Sequence, residues 1–265
     1  TSLSTSDDVK IRFQSYGWNV ISIDGHNFSE ISRAINESKK SMQPTLIACK
    51  TKIGYGSPNK ESTASSHGSP LGLEEINLTR KNLNWDLEPF EIPSDLLEMW
   101  RSFYKRNIEN INNWKQEYKN IKNKNNFDEF FSNDISNELK NKIINFKHIH
   151  LKENTNCATR KASEKSLELF SESINNLIGG SADLTGSNNT KTKNMKTIIK
   201  NDFAGNYIYY GVREHGMAAI MNGLSLHGGL KVYGGTFLVF TDYCRPSIRL
   251  AAIMGLPVIY VMTHD

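Results

Sequence analysis

Two separated blocks of this chain alternate short apolar runs with amphipathic helical periods, and that alternation is what most restricts its fold. In the first block, residues 1 to about 80, "TSDDVKIRFQSYG" places Val9, Phe13 and Tyr16 at i, i+4, i+7 before a stop at Gly17. "WNVISI" then reads as a strand, "HNFSEISRAINESKK" as a helix and "PTLIACKT" as a second strand. Asn27 is placed to cap that helix, with Glu30 three residues later in capping-box register. The second block, residues 154–265, repeats the rhythm. "TRKASEKSLELFSESI" is an amphipathic helix, and "NLIGGSADLTGSN" a strand running into a glycine-bearing turn. "NYIYYGVREHGMAAIMNGLSLHGG" gives a short strand and a helix, "KVYGGTFLVF" a strand into a loop, "TDYCRPSIRLAAIMG" a helix, and "LPVIYVMTHD" an apolar strand. Alternation of this kind buries its strands in a parallel sheet covered by crossover helices, so the expected class is α/β.

Residues 86–153, between the blocks, carry no strand signal. Pro89 and Pro93 in "DLEPFEIPSD" block helix, and Ser94 is placed to cap the helix that follows. Trp114, Tyr118 and Ile121, then Leu139, Ile143 and Phe146, recur at helical spacing, which predicts a helical linker. The net charge is +4 and the pI about 8.8, but the lysines of residues 105–152 are interleaved with Glu109, Glu117, Asp128, Glu129, Asp134 and Glu138. That pattern suits a solvated helical surface, and no nucleic-acid partner is expected. No run reaches about 18 consecutive apolar residues, so no membrane partner is expected either. Cys49, Cys157 and Cys244 are odd in number and lack CxxC spacing. A reducing, cytoplasmic compartment is expected from them, without a disulfide framework or zinc site. "TSLSTSDDVK" has the features of neither a signal peptide nor a basic transit segment. The chain starts directly on a helix cap and stops on an apolar strand, so it is expected to be an internal piece of a longer polypeptide.

Parallel α/β sheets collect ligands beyond the carboxyl ends of their strands. In the second block that rule selects Asp183 and Ser187, Glu214, the aromatic run Phe237, Phe240 and Tyr243, and His264. In the first block it selects the loop "KIGYGSPNKESTASSHGSPLG", residues 52–72, which contains His67. Two acids, a hydroxyl, an aromatic cluster and a histidine suit a flat, partly apolar heterocycle and an oxygen-rich substrate. Each residue also admits a purely structural reading. Glu214 in a first helical turn complements the helix dipole, worth about 0.3–1 kcal/mol. The three aromatics can be core, Asp183 a turn former bonding nearby backbone N–H groups, His67 an exposed loop residue and His264 a strand end. His148 and His150 lack a third ligand at suitable spacing and are read as surface residues.

Several stretches, in order, resemble the transketolases, which depend on thiamine diphosphate: "KTKIGYGSPNKESTASSHGSPLG", "ATRKASEKSL", "LIGGSADLTGSN", "YIYYGVREHGMAAIMNG", "YGGTFLVFTDY" and "VIYVMTHD". The resemblance covers nearly the whole chain and is weakest at about 100–153. It implies a parallel-sheet thiamine diphosphate-binding fold made of parts of two domains. Residues 1–85 would be the C-terminal part of the diphosphate-binding domain, 86–153 a helical linker and 154–265 the N-terminal part of the pyrimidine-binding domain, with a third domain absent. The implied reaction moves a two-carbon ketol unit from a ketose phosphate, such as xylulose 5-phosphate, to an aldose phosphate, such as ribose 5-phosphate. The implied assembly is a homodimer with active sites at the subunit interface, and the piece alone would be inactive.

By the same resemblance, Glu214 bonds the N1′ nitrogen of the aminopyrimidine and favours the tautomer that deprotonates the thiazolium C2. Phe237, Phe240 and Tyr243 enclose that ring, Ile53 gives a backbone-side contact to the cofactor, and Asp183 lies at the dimer-facing side. Arg160 and Ser187 hold the sugar phosphate. His67 and His264 bond sugar hydroxyls and the carbonyl oxygen near the reacting carbon. The implied Mg2+ or Ca2+ has ligands that would precede residue 1, so no residue here is assigned to it. "STASS" stands where relatives often carry another histidine, and Gly186 replaces a frequent proline. Dihydroxyacetone synthase, which uses formaldehyde as acceptor, and a non-catalytic dimerisation module derived from the enzyme are the two other readings.

Overall fold

The first helix, α1 (Val9–Ser15), starts where Asp8 accepts hydrogen bonds from Lys10 N at 2.9 Å and Ile11 N at 3.1 Å. The computed structural model describes residues 3–122, 124–132 and 134–264, with the side chains of 124–126 excepted, and packing divides the chain between Arg106 and Asn107. In the first unit, β1 (Asn19–Asp24) and β2 (Thr45–Lys50) pair in parallel from Asn19↔Thr45 to Asp24↔Lys50, joined by α2 (Phe28–Ser38). Asn27 caps α2 as the sequence predicts, accepting from Ser29 N at 3.0 Å and Glu30 N at 3.1 Å. Glu30 does not close the capping box. Asn27 N is already bonded to Asp24 O, and the Glu30 carboxylate takes Asp24 N at 2.8 Å, tying the helix to the strand end. Ile21, Ile23 and Ala34 form the small core.

Two helical details differ from the sequence reading. A helix the periodicity does not signal, α3 (Leu73–Asn82), follows the 52–72 loop. In α4 (Ser94–Arg106), Ser94 is the first helical residue, because Leu97 N bonds Pro93 O and puts the capping position on Pro93.

The second unit opens with α5 (Ile108–Lys119), α6 (Lys124–Phe131), α7 (Asn137–Lys152) and α8 (Thr159–Ser173). Leu139 is buried and Ile143 and Phe146 half-buried on α7, while Trp114 of α5 stays exposed and stacks on Tyr118 at 5.2 Å. Four parallel strands then form a sheet in the order β4 (Tyr207–Tyr209), β3 (Leu177–Ser181), β5 (Lys231–Phe237), β6 (Val258–Thr263). The short α9 (Thr185–Asn188), α10 (Glu214–His227) and α11 (Thr241–Ile253) connect them.

One core cluster joins Met217 and Met221 of α10 to Tyr210, Ala182 and Val232, and another gathers Leu177, Met195, Tyr207 and Tyr233. Close approach on both clusters requires glycine. A Cβ at Gly234 would lie 2.4 Å from Met221 Sδ, and one at Gly179 would lie 1.9 Å from the Tyr233 ring. At the amino-terminal edge of this sheet, Asn176 Nδ2 donates to Phe130 O at 3.1 Å and Gly229 O at 2.9 Å, and Lys231 Nζ donates to Ser132 O at 3.1 Å. Among the described residues, no helix is long and apolar enough to cross a membrane.

Candidate active site

At the opposite edge, beyond the carboxyl ends of β3, β4 and β5, three connections converge. Tyr210 N bonds Ser181 O at 3.1 Å as the chain leaves β4, and α10 begins four residues later at Glu214. The adjacent ionisable side chains of "REH" separate at once. Arg213 Nη1 donates to Tyr210 O at 3.1 Å, backing the turn, and His215 Nδ1 lies 3.3 Å from Ser247 Oγ on α11. Glu214 is 9% exposed, and among the described residues its carboxylate accepts no hydrogen bond and forms no ion pair. In the first turn of α10 the carboxylate complements the helix dipole, and it also opens onto the strand-end depression.

Glu214 borders an open depression of about 790 Å³, together with Asp183, Leu184, Val212, Phe240 and Tyr243. Phe237, Phe240 and Tyr243 form a ladder of tilted rings, with centroids 5.9 Å and 5.8 Å apart. A single 3₁₀ turn at Leu238–Phe240, running into α11, puts residues three apart on one side. Phe237 and Phe240 are half-buried and Tyr243 is 64% exposed, so the ladder is a wall and not a core. Phe237 meets the site through Phe240 and does not line the depression.

Asp183 is exposed, in the left-handed region at φ 61°, and its carboxylate accepts no hydrogen bond among the described residues. The turn is held instead by Ser181 Oγ, which accepts from Leu184 N at 3.2 Å. The turn-former reading of Asp183 therefore lacks its hydrogen bond, and an aspartate is among the few residues that tolerate this conformation. Ser187 is exposed on α9. The next residue, Asn188, is buried, accepts from Ser181 Oγ at 3.3 Å and donates to Thr263 Oγ1, joining α9 to the end of β6. Arg160 on α8 and His264 after β6, 104 positions apart in sequence, meet with Nη1 3.1 Å from Nε2. A guanidinium only donates, so Nε2 is the acceptor.

Burial pushes the phenol of Tyr210, beside the same turn, up to about 12, and burial raises the Cys244 thiol. Among the described residues, no group of three or more His, Cys, Asp or Glu gathers as metal ligands.

Ile53 and His67 belong to the first unit, on the loop after β2, and both are exposed. His26 holds the start of that loop: its Nε2 accepts from Lys52 N at 2.9 Å, and its ring stacks on Tyr55 at 3.8 Å. Glu75 of α3, which sequence reasoning passed over, is buried under the loop and accepts from Ser57 Oγ, Asn59 N and Asn59 Nδ2. Its one sequence signal is an acid in the first turn of a helix that has little apolar periodicity.

Residues 1–140 match the family described as "Transketolase, thiamine diphosphate binding domain", and residues 155–265 match "Transketolase, pyrimidine binding domain". Transketolase of Cereibacter sphaeroides is 48% identical over 265 residues, covering 100% of this chain and 40% of the relative. Transketolase of Buchnera aphidicola is 45% identical over 271 residues, covering 98% and 40%. Among solved structures, transketolase from Leishmania mexicana gives a TM-score of 0.88 at 32% identity, covering 100% of this chain and 40% of its own. Transketolase from Pichia stipitis in complex with sedoheptulose 7-phosphate gives 0.88 at 31% identity, covering 100% and 41%. The chain thus spans about 40% of the length of the relatives it matches. With both family domains matched in order and the parallel α/β fold shared, the chain belongs to the transketolase family.

Proposed function

We propose that this chain is part of a transketolase that transfers a two-carbon ketol unit from a ketose phosphate, such as xylulose 5-phosphate, to an aldose phosphate, such as ribose 5-phosphate. The observation that carries the reading is the largely buried Glu214, whose carboxylate, without a partner among the described residues, lines a depression edged by Phe240 and Tyr243. A flat heterocycle with a protonable ring nitrogen fits that donor-seeking carboxylate and those ring faces. When bound, thiamine diphosphate supplies the nucleophilic carbon that carries the two-carbon unit. Glu214 holds a proton at the aminopyrimidine N1′, and its shielding from water strengthens that bond. Phe240 and Tyr243, with Phe237 behind them, exclude water from the ring faces, and Asp183 closes the dimer-facing side.

Arg160 offers its fork to the sugar phosphate, with Ser187 adding a hydroxyl. His264, whose Nε2 accepts from Arg160, keeps its proton on Nδ1 and bonds sugar oxygens. Ile53 and His67 act on the cofactor and the sugar near its reacting carbon. The working assembly is a homodimer, in which the depression of one subunit faces the 52–72 loop of the other. Residues 1–85 serve as the end of the diphosphate-binding domain, 86–153 as linker and 154–265 as the start of the pyrimidine-binding domain. A Mg2+ or Ca2+ ion would be held by residues outside this chain. The three free cysteines support a reducing, cytoplasmic setting.

The test is a coupled ketol-transfer assay on the full-length protein with thiamine diphosphate and Mg2+, using xylulose 5-phosphate as donor. Turnover with ribose 5-phosphate well above that with formaldehyde is expected. A preference for formaldehyde would identify a dihydroxyacetone synthase, and absence of cofactor-dependent turnover a non-catalytic module.

A further inference from the structure

The loop carrying Ile53 and His67 contains no helix or strand beyond a single 3₁₀ turn at Ala64–Ser66, yet one buried carboxylate organises it. Glu75 sits in the first turn of α3, 7% exposed. One of its oxygens accepts from Ser57 Oγ and from Asn59 N at 2.8 Å, and the other accepts from Asn59 Nδ2 at 2.9 Å. All three donors come from the loop. Among the described residues no lysine or arginine pairs with Glu75, and the nearby Lys60 Nζ donates instead to Leu71 O at 2.7 Å. These bonds hold the Glu75 carboxyl below the usual carboxylate range, the Ser57 hydroxyl contributing most. At the far end of the same helix, Asn82 Nδ2 donates to Gly56 O at 2.9 Å.

From these anchor points, hydrogen bonds reach the chain neighbours of both functional residues. Ser57 N bonds Gly54 O at 3.0 Å, and Ser62 N bonds Ile53 O at 2.8 Å. In the other direction, Lys60 N bonds Ser57 Oγ at 3.3 Å and Lys60 O accepts from Ser66 Oγ at 3.1 Å, while His67 N bonds Ala64 O at 3.1 Å. We infer that Glu75 is a positioning residue, which fixes Ile53 and His67 for cofactor and sugar by clamping Ser57 and Asn59 beneath the loop. The inference rests on the reading of those two residues as cofactor and substrate contacts. Removing the carboxylate strands the buried Ser57 hydroxyl, where an unmade bond is costly, and releases the Asn59 amides to solvent. A glutamine keeps the clamp, because the Asn59 amide can turn over and present its oxygen to the new amide nitrogen.

The experiment compares full-length wild type, Glu75→Ala and Glu75→Gln by amide hydrogen exchange, without cofactor or sugar. In Glu75→Ala, peptides spanning 53–67 should exchange on the order of tenfold faster, with peptides of β3 and β5 unchanged. Glu75→Gln should stay near wild type. In ketol transfer, Glu75→Ala should raise the sugar phosphate KM about tenfold and leave kcat within about threefold. Unchanged exchange at 53–67, or a loosened loop with an unchanged KM, would overturn the inference. Should Glu75→Ala fail to fold, Asn59→Ala removes one donor only and must still speed exchange in the same peptides and raise KM; no change in either overturns it. Absence of ketol transfer in the wild type would remove the functional reading while the exchange comparison still reports the clamp.

Discussion

Glu214 keeps most of its side chain in the fold, while its carboxylate, without a partner among the described residues, opens onto the depression. Substituting it should therefore cost activity and leave stability nearly unchanged. Glu214→Gln in the full-length protein is expected to lower ketol-transfer kcat by roughly 10²–10⁴-fold. Its thermal midpoint should hold, since among the described residues the carboxylate makes no bond that a neutral amide would lose. Steady-state kinetics beside a melting curve checks both, and a joint fall would assign Glu214 to the fold alone. Arg160 is tested through substrate chemistry. Arg160→Leu removes the fork and should raise KM for a phosphorylated donor about 10–100-fold, with a smaller rise for an unphosphorylated ketose. Equal effects on the two donors would mean that Arg160 does not hold the phosphate.

At the scale of elements, the site depends on how tightly α10 and the Tyr233 ring press on glycine positions of the sheet. Gly179→Ala drives a Cβ into the buried Tyr233 ring and should destabilise by about 1–3 kcal/mol in chemical denaturation. The loop gripped by α3 has a pH signature. Glu75's folded pKa lies below its unfolded value, so its contribution is present above the ordinary carboxylate range and is lost as pH falls through the folded pKa. The protonated carboxyl can still be held by a turned-over Asn59 amide, as glutamine is, so hydrogen-exchange protection at 53–67 should weaken only partly in acid, and Glu75→Ala should remove that dependence. The strands and crossover helices were legible from periodicity because each buries an apolar face against the sheet. Helix α3 was not, since it contacts the loop through Glu75 and Asn82, and polar contacts leave no apolar stripe to read. The strand-end rule located Glu214, but its burial and the turning away of Arg213 depend on the surrounding fold. Nothing in spacing could bring Arg160 to His264, which meet only when α8 and the end of β6 are assembled.

For the whole molecule, a length about 40% of its relatives predicts that the isolated 265-residue chain will show no ketol-transfer turnover; robust turnover would show that the active site is complete without the rest. The second unit should be the alkali-sensitive one. Burial raises the phenols of Tyr207 and Tyr233, and that of Tyr210 to about 12. The unfolded tyrosine value is about 10, so this stabilisation is complete below about pH 10 and is lost as pH rises toward the folded value. Circular dichroism across an alkaline titration should show the second unit weakening over that window. The sheet of this unit also separates two tasks along its strands. Glu214 and the aromatic ladder occupy the carboxyl rim, while Asn176 and Lys231 stitch the end of α6 to the amino rim. The amino rim therefore offers a neutral handle: a fluorophore placed on α6 would report that helix coming loose in an Asn176→Ala protein while the far rim stayed undisturbed.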